Sequence, residues 1–252
     1  MPLSALLLDL ALLAAVLLPL AGTYLAGGLL QQPEGRDPLL SRRYAVLILR
    51  GWVVTVLLLL VWRAQGLPLA RLGLPWPPQQ TDLIAFILVA VGLLVLPVQL
   101  WRLAELPPDQ LAAAVRQIDA IKITPNSWGE LALFVLVSIT AGVWEELVYR
   151  GFLIWYFAPS LGLIGAVIAS ALLFGLGHAY QGAGGMISTA TLGLTFALLY
   201  LASGSLWWLM AIHAAIDIQT GFVAFRVKHI AGQRRQHAAE IVARMRQGTL
   251  SS

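Results

Sequence analysis

Cysteine is absent from this chain of 252 residues. Its absence excludes a disulfide framework, a thiolate metal site and a cysteine nucleophile. Charged residues are also scarce: they make up 11% of the chain, whereas they make up about 25% of a soluble domain. Hydrophobic residues make up 59%. This composition excludes an ordinary soluble protein and predicts an integral membrane protein folded as one helical bundle.

The hydrophobic runs predict an all-α, polytopic transmembrane bundle of about seven spans with interfacial amphipathic helices. Residues 107–123 are too polar to span, but their apolar side chains recur at helical spacing, so this helix is expected to lie along the membrane surface. Pro97 is expected to kink the third span, and Pro159 to end the fourth. The predicted spans are residues 3–30, 42–62, 83–100, 129–157, 161–180, 186–202 and 205–227; residues 233–247 are predicted to form a separate basic helix.

The net charge is +4, and much of the positive excess follows residue 225. In a membrane protein such a basic tail favours contact with anionic lipid in the cytoplasm, not with nucleic acid. We therefore expect a multi-pass protein of the cell membrane with a cytoplasmic C-terminus. The N-terminus lacks the basic region of a secretory signal, so residues 3–30 are expected to remain as a membrane span.

Three ionisable residues interrupt the apolar run of the fourth span: Glu145, Glu146 and Arg150. Charged groups cost about 2.5–3.5 kcal/mol each at the centre of a membrane helix, so they are candidates for a function. Glu146 and Arg150 are four apart, share a helix face and are expected to pair. Glu145 should point about 100° away from Glu146. It is therefore expected to remain available for chemistry.

Two further polar clusters lie in later spans. His178 follows Phe174 by one helical turn near the end of the fifth span, and His213 precedes Asp217 by one turn in the seventh. Residues four apart share a helix face, so Asp217 is expected to orient and polarise His213.

Each of these residues also has a purely structural interpretation. A histidine in a membrane often only bonds a neighbouring helix, and Asp217 could simply pair with His213 to hold helices together. Phe174 is expected to pack rather than to react. Arg50, in the second span, is expected to extend toward the membrane surface or to face a polar partner.

The combination favours chemistry, because Glu145, His178, His213 and Asp217 come from three spans and are all costly in lipid. A glutamate and a histidine can activate water, and a second histidine can stabilise an oxyanion. The order Glu-Glu-x-x-x-Arg, Phe-x-x-x-His and His-x-x-x-Asp resembles the CPBP intramembrane proteases. This group includes the CAAX proteases, the bacteriocin-processing enzymes and the Ras-converting enzyme. The resemblance covers about residues 129–227.

The resemblance implies a glutamate-dependent, membrane-embedded endopeptidase that cuts peptides near the bilayer surface. Glu145 would activate the water and His178 would help to hold it. His213 and Asp217 would lie on the oxyanion side.

The resemblance also implies a supporting role for Glu146, Arg150 and Phe174. The chain would then divide into N-terminal helices with an interfacial helix (residues 1–128), a catalytic core (129–227) and a basic cytoplasmic tail (228–252). Its partners would be membrane lipid and a peptide or protein substrate, which could carry a lipid.

Position 217 holds an aspartate where relatives of the Ras-converting enzyme hold asparagine, whose amide can donate to an oxyanion. An ionised aspartate cannot donate. Asp217 is therefore protonated in its buried setting, serves His213, or binds a metal. Glutamate, histidine and aspartate are plausible zinc ligands, although the His-Glu-x-x-His signature is absent. We expect catalysis without a cofactor, with zinc as the alternative.

Two functions other than proteolysis are compatible with the pattern. A non-enzymatic scaffold or immunity protein could use the same fold, although such a protein has little need of Glu145 in lipid. A proton-coupled transporter could use buried carboxylates and histidines as a relay. Transporters are often built from inverted repeats, and the sequence shows no internal repeat.

Overall fold

The computed structural model describes residue 10, residues 39–121 and residues 123–249. The predicted span at residues 3–30 therefore lies, apart from residue 10, outside the described residues. The described residues form helices joined by short turns and contain no strand. This confirms the predicted all-α fold.

Eight α-helices, numbered here over the described residues, make up the bundle. They are α1 (Leu40–Ala64), α2 (Gln80–Leu94), α3 (Leu96–Arg102), α4 (Pro108–Ala120), α5 (Trp128–Glu145), α6 (Ile154–Gly177), α7 (Gly182–Ser203) and α8 (Trp207–Thr249). A π-helical segment, Glu146–Leu153, joins α5 to α6, and single 3₁₀ turns lie at Leu69–Leu72, Leu103–Glu105 and Ala179–Gln181.

Five helical stretches of the described chain are long and apolar enough to cross a membrane: Leu40–Ala64, Gln80–Glu105, Trp128–Gly177, Ala179–Ser203 and Trp207–Arg246. They indicate a multi-pass membrane protein.

The longest of these stretches, Trp128–Gly177 with 50 residues, contains a reversal of the chain. Gly162 has φ 68° and ψ 168°, a conformation that interrupts the helix and that glycine adopts readily. The Ser170 hydroxyl donates to the Tyr149 carbonyl at 2.5 Å, although these residues would lie about 30 Å apart along a straight helix. The segments before and after Gly162 therefore pack side by side. They correspond to the predicted fourth and fifth spans, and the break falls at Gly162, three residues after Pro159.

Two local predictions from the N-terminal half are confirmed. The third predicted span is broken at Val95, between α2 and α3, with Pro97 in the first turn of α3. Helix α4 buries Leu111 and Val115 against α8, as the helical spacing of its apolar residues predicts. Its position at the membrane surface stays a prediction.

Helix α8 corrects the prediction of a separate basic helix. It runs without interruption from Trp207 to Thr249, over 43 residues, and crosses the predicted domain boundary at residue 228. The stretch contains no proline to end it. Contacts with other elements also hold it: Arg234 donates to the carbonyls of Leu106 and Ala104, each at 2.8 Å.

The core surrounds the π-helical segment, whose eight residues are all buried. Helices α5 and α8 approach closely beside it at Gly142, because a Cβ atom there would lie 2.6 Å from the Met210 carbonyl oxygen. This close packing places the residue one turn after Gly142, which is Glu145, next to the residue one turn after Met210, which is His213.

Candidate active site

Polar side chains from three parts of the chain meet at one end of the core. Glu145 is the last residue of α5, His178 follows the end of α6, and His213 lies in α8. Glu145 Oε2 is 3.9 Å from His178 Nε2 and 3.7 Å from His213 Nε2. The structure therefore brings together residues from three different predicted spans. These residues line a cavity of about 780 Å³.

Glu146 lies behind this group and is fully buried. Its Oε1 atom accepts from Arg150 Nη1 at 3.0 Å, as the sequence predicts. The same oxygen lies 2.7 Å from His213 Nδ1. Glu146 therefore connects the arginine to the histidine, a contact that sequence spacing did not predict because it joins two distant helices.

Asp217 is less close to His213 than the sequence predicts. Its Oδ2 atom is 3.7 Å from His213 Nε2, and its side chain is 39% exposed. That distance is longer than a hydrogen bond. The carboxylate that orients the His213 ring is Glu146, and Asp217 faces the ring nitrogen that also faces Glu145.

Arg150 is held on several sides. Besides Glu146, it donates to the Gly193 carbonyl of α7 at 3.3 Å. Its guanidinium group also lies 4.2 Å from the centre of the Phe174 ring. Phe174 thus packs against the ion pair, and its ring centre is 4.7 Å from that of His178. The contact of a cation with an aromatic face stabilises a charge that is removed from water.

The hydrogen bonds of the two histidines indicate the role of each Nδ1 atom. His178 Nδ1 is 2.8 Å from the Phe174 carbonyl oxygen. A carbonyl can only accept, so Nδ1 carries the proton and Nε2 of the neutral ring is an acceptor. That acceptor faces Glu145 Oε2. His213 Nδ1 likewise faces a carboxylate oxygen, that of Glu146.

The change from α-helix to π-helix occurs between the two glutamates. Helix α5 ends at Glu145 and the π-helical segment begins at Glu146. Such segments are rare and frequent at functional sites. Although the sequence predicts that these neighbours point apart, both carboxylates reach the same imidazole, one at each ring nitrogen. No sequence signal predicted the π-helical segment.

Arg50 of α1 is a cavity residue whose position the sequence left open. It lines the same cavity as Glu145, and its guanidinium group lies 5.6 Å from the centre of the Trp144 ring. Its buried Nε atom has no hydrogen-bond partner among the described residues.

Within the described residues, no group of three or more histidine, aspartate and glutamate side chains is placed to hold a metal ion. Catalysis without metal stays a prediction.

Comparison with known proteins gives one match. Residues 127–219 match the family model described as type II CAAX prenyl endopeptidase, Rce1-like. The matched region begins just before α5 and ends shortly after Asp217, so it contains Glu145, His178 and His213. Helices α1 to α4 lie outside it. No curated protein and no solved structure matches the chain.

Proposed function

We propose that this chain, of which residues 127–219 match a CAAX endopeptidase family model, is an intramembrane endopeptidase in which Glu145 activates the attacking water. The observation that carries this proposal is the distance of Glu145 Oε2 from two imidazole Nε2 atoms, 3.9 Å for His178 and 3.7 Å for His213. These separations are too long for direct hydrogen bonds and suit groups bridged by one water molecule.

The hydrogen-bonding roles of Glu145 and His178 favour a water between them. The Glu145 carboxylate accepts. In the neutral form of His178, Nδ1 donates to the Phe174 carbonyl and Nε2 also accepts. A water molecule has two protons and can donate one to each. Its oxygen then keeps a lone pair free for attack, and Glu145 can take the proton as general base.

His213 is suited to the opposite side of the reaction. Three carboxylates lie within 4 Å of its ring nitrogens: Glu146 at 2.7 Å, and Glu145 and Asp217 at 3.7 Å. Their negative charge favours the protonated imidazolium. In that form Nε2 carries a proton that it can donate to the oxyanion of the tetrahedral intermediate.

The proposed reaction balances without a further reactant. The water oxygen bonds to the scissile carbonyl carbon while its proton passes to Glu145, and the carbonyl oxygen becomes an oxyanion beside His213. When the carbon–nitrogen bond breaks, Glu145 returns the proton to the leaving amine. A general base typically contributes about 10²–10⁴-fold to such a rate.

The lining of the cavity supports a peptide or protein substrate. It combines the polar group around Glu145 with apolar walls, which include Leu47, Val137, Leu192 and Phe196. Such walls accept apolar side chains or an attached lipid. We propose that the protein lies in the cell membrane with its basic C-terminus in the cytoplasm.

The test is cleavage of a degenerate peptide pool by the purified protein in liposomes, with products identified by mass spectrometry. We expect Glu145→Gln to abolish cleavage and to leave the thermal unfolding curve unchanged. Glu240→Gln is the matched control, since Glu240 is exposed in the C-terminal part of α8. Cleavage by purified Glu145→Gln protein at the wild-type rate would refute the role of Glu145.

A further inference from the structure

Arg50 adds a positive charge to the cavity from outside the region that matches the protease family. It lies in α1, whereas the match begins at residue 127. Arg50 and Glu145 line the same cavity and interact electrostatically. The inference drawn from this residue rests on the proposed protease function.

The position of Arg50 is fixed by the packing of α1 on α5. A Cβ atom on the next residue, Gly51, would lie 2.6 Å from Thr140 Cγ2 and 2.7 Å from Trp144 Cδ1, so the helices approach as closely as glycine permits. The indole ring of Trp144 also faces the guanidinium group. The guanidinium group of Arg50 is therefore held beside the cavity.

The hydrogen-bond donors of Arg50 are not used by the site. Its Nε atom is buried and has no partner within the described part of the chain. Arg150 and His213 already contact the Oε1 atom of Glu146, at 3.0 and 2.7 Å. The ion-pair contacts of Glu145 in the described chain are with the two histidines.

A buried guanidinium nitrogen without a bonded acceptor is unfavourable, and the planar set of donors to which it belongs matches a carboxylate. Two further arginines of α1, Arg42 and Arg43, line the same cavity, and the helix contains no acidic residue. The acidic residues of the cavity, Glu145 and Asp217, lie on its catalytic side. The charge along α1 thus complements an anionic substrate.

We propose that Arg50 is a carboxylate subsite, which binds a carboxylate of the substrate peptide next to the scissile bond. The carboxylate could be the C-terminus of the peptide or the side chain of an aspartate or glutamate. Both present the same chemistry to a guanidinium group, so the experiment has to separate them.

The binding experiment uses Glu145→Gln protein, in which the peptide is not consumed. Three degenerate octapeptide pools are compared by affinity selection and mass spectrometry: one without acidic residues and with a free C-terminal carboxylate, the same pool amidated, and an amidated pool with one glutamate. We expect at least one carboxylate pool to be retained about tenfold more than the neutral amide, as a charge-assisted hydrogen bond predicts. Preference for the first pool identifies the C-terminus, and preference for the third identifies a side chain.

Arg50→Gln in the same background should abolish the preference, and Arg50→Lys should restore part of it. Arg63→Gln is the matched control, because Arg63 is an exposed arginine of the same helix outside the cavity lining. Equal retention of all pools, retention of none, or a preference that survives Arg50→Gln would overturn the proposal.

Kinetics separate this role from an effect on Glu145. With Glu145 present, Arg50→Gln should raise KM for carboxylate peptides about tenfold and leave kcat nearly unchanged. A fall in kcat that is equal for acidic and neutral peptides would mean that Arg50 acts on Glu145 instead. Carboxylate-selective retention without cleavage of any peptide by the wild-type protein would leave the subsite standing and refute the proposed protease function.

Discussion

Glu145 and Glu146 are neighbours in the sequence but lie in opposite environments. Glu146 is fully buried, and its Oε1 atom is held by Arg150 at 3.0 Å and His213 at 2.7 Å. The side chain of Glu145 is 12% exposed. The Oε2 atoms of both glutamates lack a hydrogen-bond partner among the described residues, but only Glu145 lines the cavity. A carboxylate with its charge compensated supports structure, whereas one that faces a cavity with a free lone pair can take a proton.

The backbone produces this difference. Because the π-helical segment starts at Glu146, one carboxylate ends the α-helix and the other enters the wider turn. Both still reach His213, at different ring nitrogens. In the proposed mechanism, Glu145 and His178 therefore take part in the chemistry, whereas Glu146 and Arg150 support them.

The strongest test of the reactive side, after Glu145 itself, is His178→Ala. Loss of an acceptor that positions the attacking water should lower kcat by about 10²–10⁴-fold. The free energy of unfolding should change little, because the side chain lies beside the cavity. Peptide cleavage and thermal unfolding measure the two effects. His237→Ala, in the exposed C-terminal part of α8, is the control, and a variant with nearly normal kcat would remove His178 from the site.

On the supporting side, Glu146→Gln should lower both the stability of the fold and the cleavage rate, because His213 also loses the carboxylate that orients it. The substitution leaves the Arg150 guanidinium buried without its carboxylate, which typically costs about 3–5 kcal/mol. Unfolding in denaturant should show the loss. An unchanged midpoint would show that the pair does not stabilise the fold.

The double variant Glu146→Leu/Arg150→Met separates charge from packing. Apolar residues of similar size often replace a buried ion pair without loss of stability, so most of the stability should return. Cleavage should not return, because His213 lacks the carboxylate that orients it. Recovery of both properties would show that Glu146 has no role in catalysis.

Asp217 should have a smaller effect, since it is partly exposed and 3.7 Å from His213. If it acts by favouring the charged form of His213, Asp217→Asn and Asp217→Ala should lower kcat equally, by about three- to tenfold after solvent screening. The two variants should instead differ if residue 217 donates a hydrogen bond to the oxyanion. An asparagine variant as active as wild type or better, beside a weak alanine variant, would assign position 217 to the oxyanion.

Metal removal should have the smallest effect. Dialysis against a chelator, followed by the cleavage assay, should change the rate by less than about twofold. A zinc site needs at least three protein ligands, and no group of three or more histidine, aspartate and glutamate side chains in the described chain is placed to hold a metal ion. Zinc-dependent recovery of lost activity would contradict the metal-free mechanism.

Much of this protein follows from local patterns in its sequence. Runs of apolar residues specify membrane helices because each backbone polar group must be bonded within the helix in lipid. The helical spacing of Leu111 and Val115 predicts the buried face of α4, and the spacing of Glu146 and Arg150 predicts their ion pair. The order of the three motifs suggests the family, because ionisable residues are rare within apolar membrane spans.

The tertiary structure decided what depends on contacts between distant residues. The reversal at Gly162 brings Ser170 to Tyr149, and the close approach at Gly142 brings His213 between the two glutamates. Glu146, not Asp217, therefore orients that histidine. Periodicity describes only which residues of one helix share a face; which helices meet, and at what height, is set by packing.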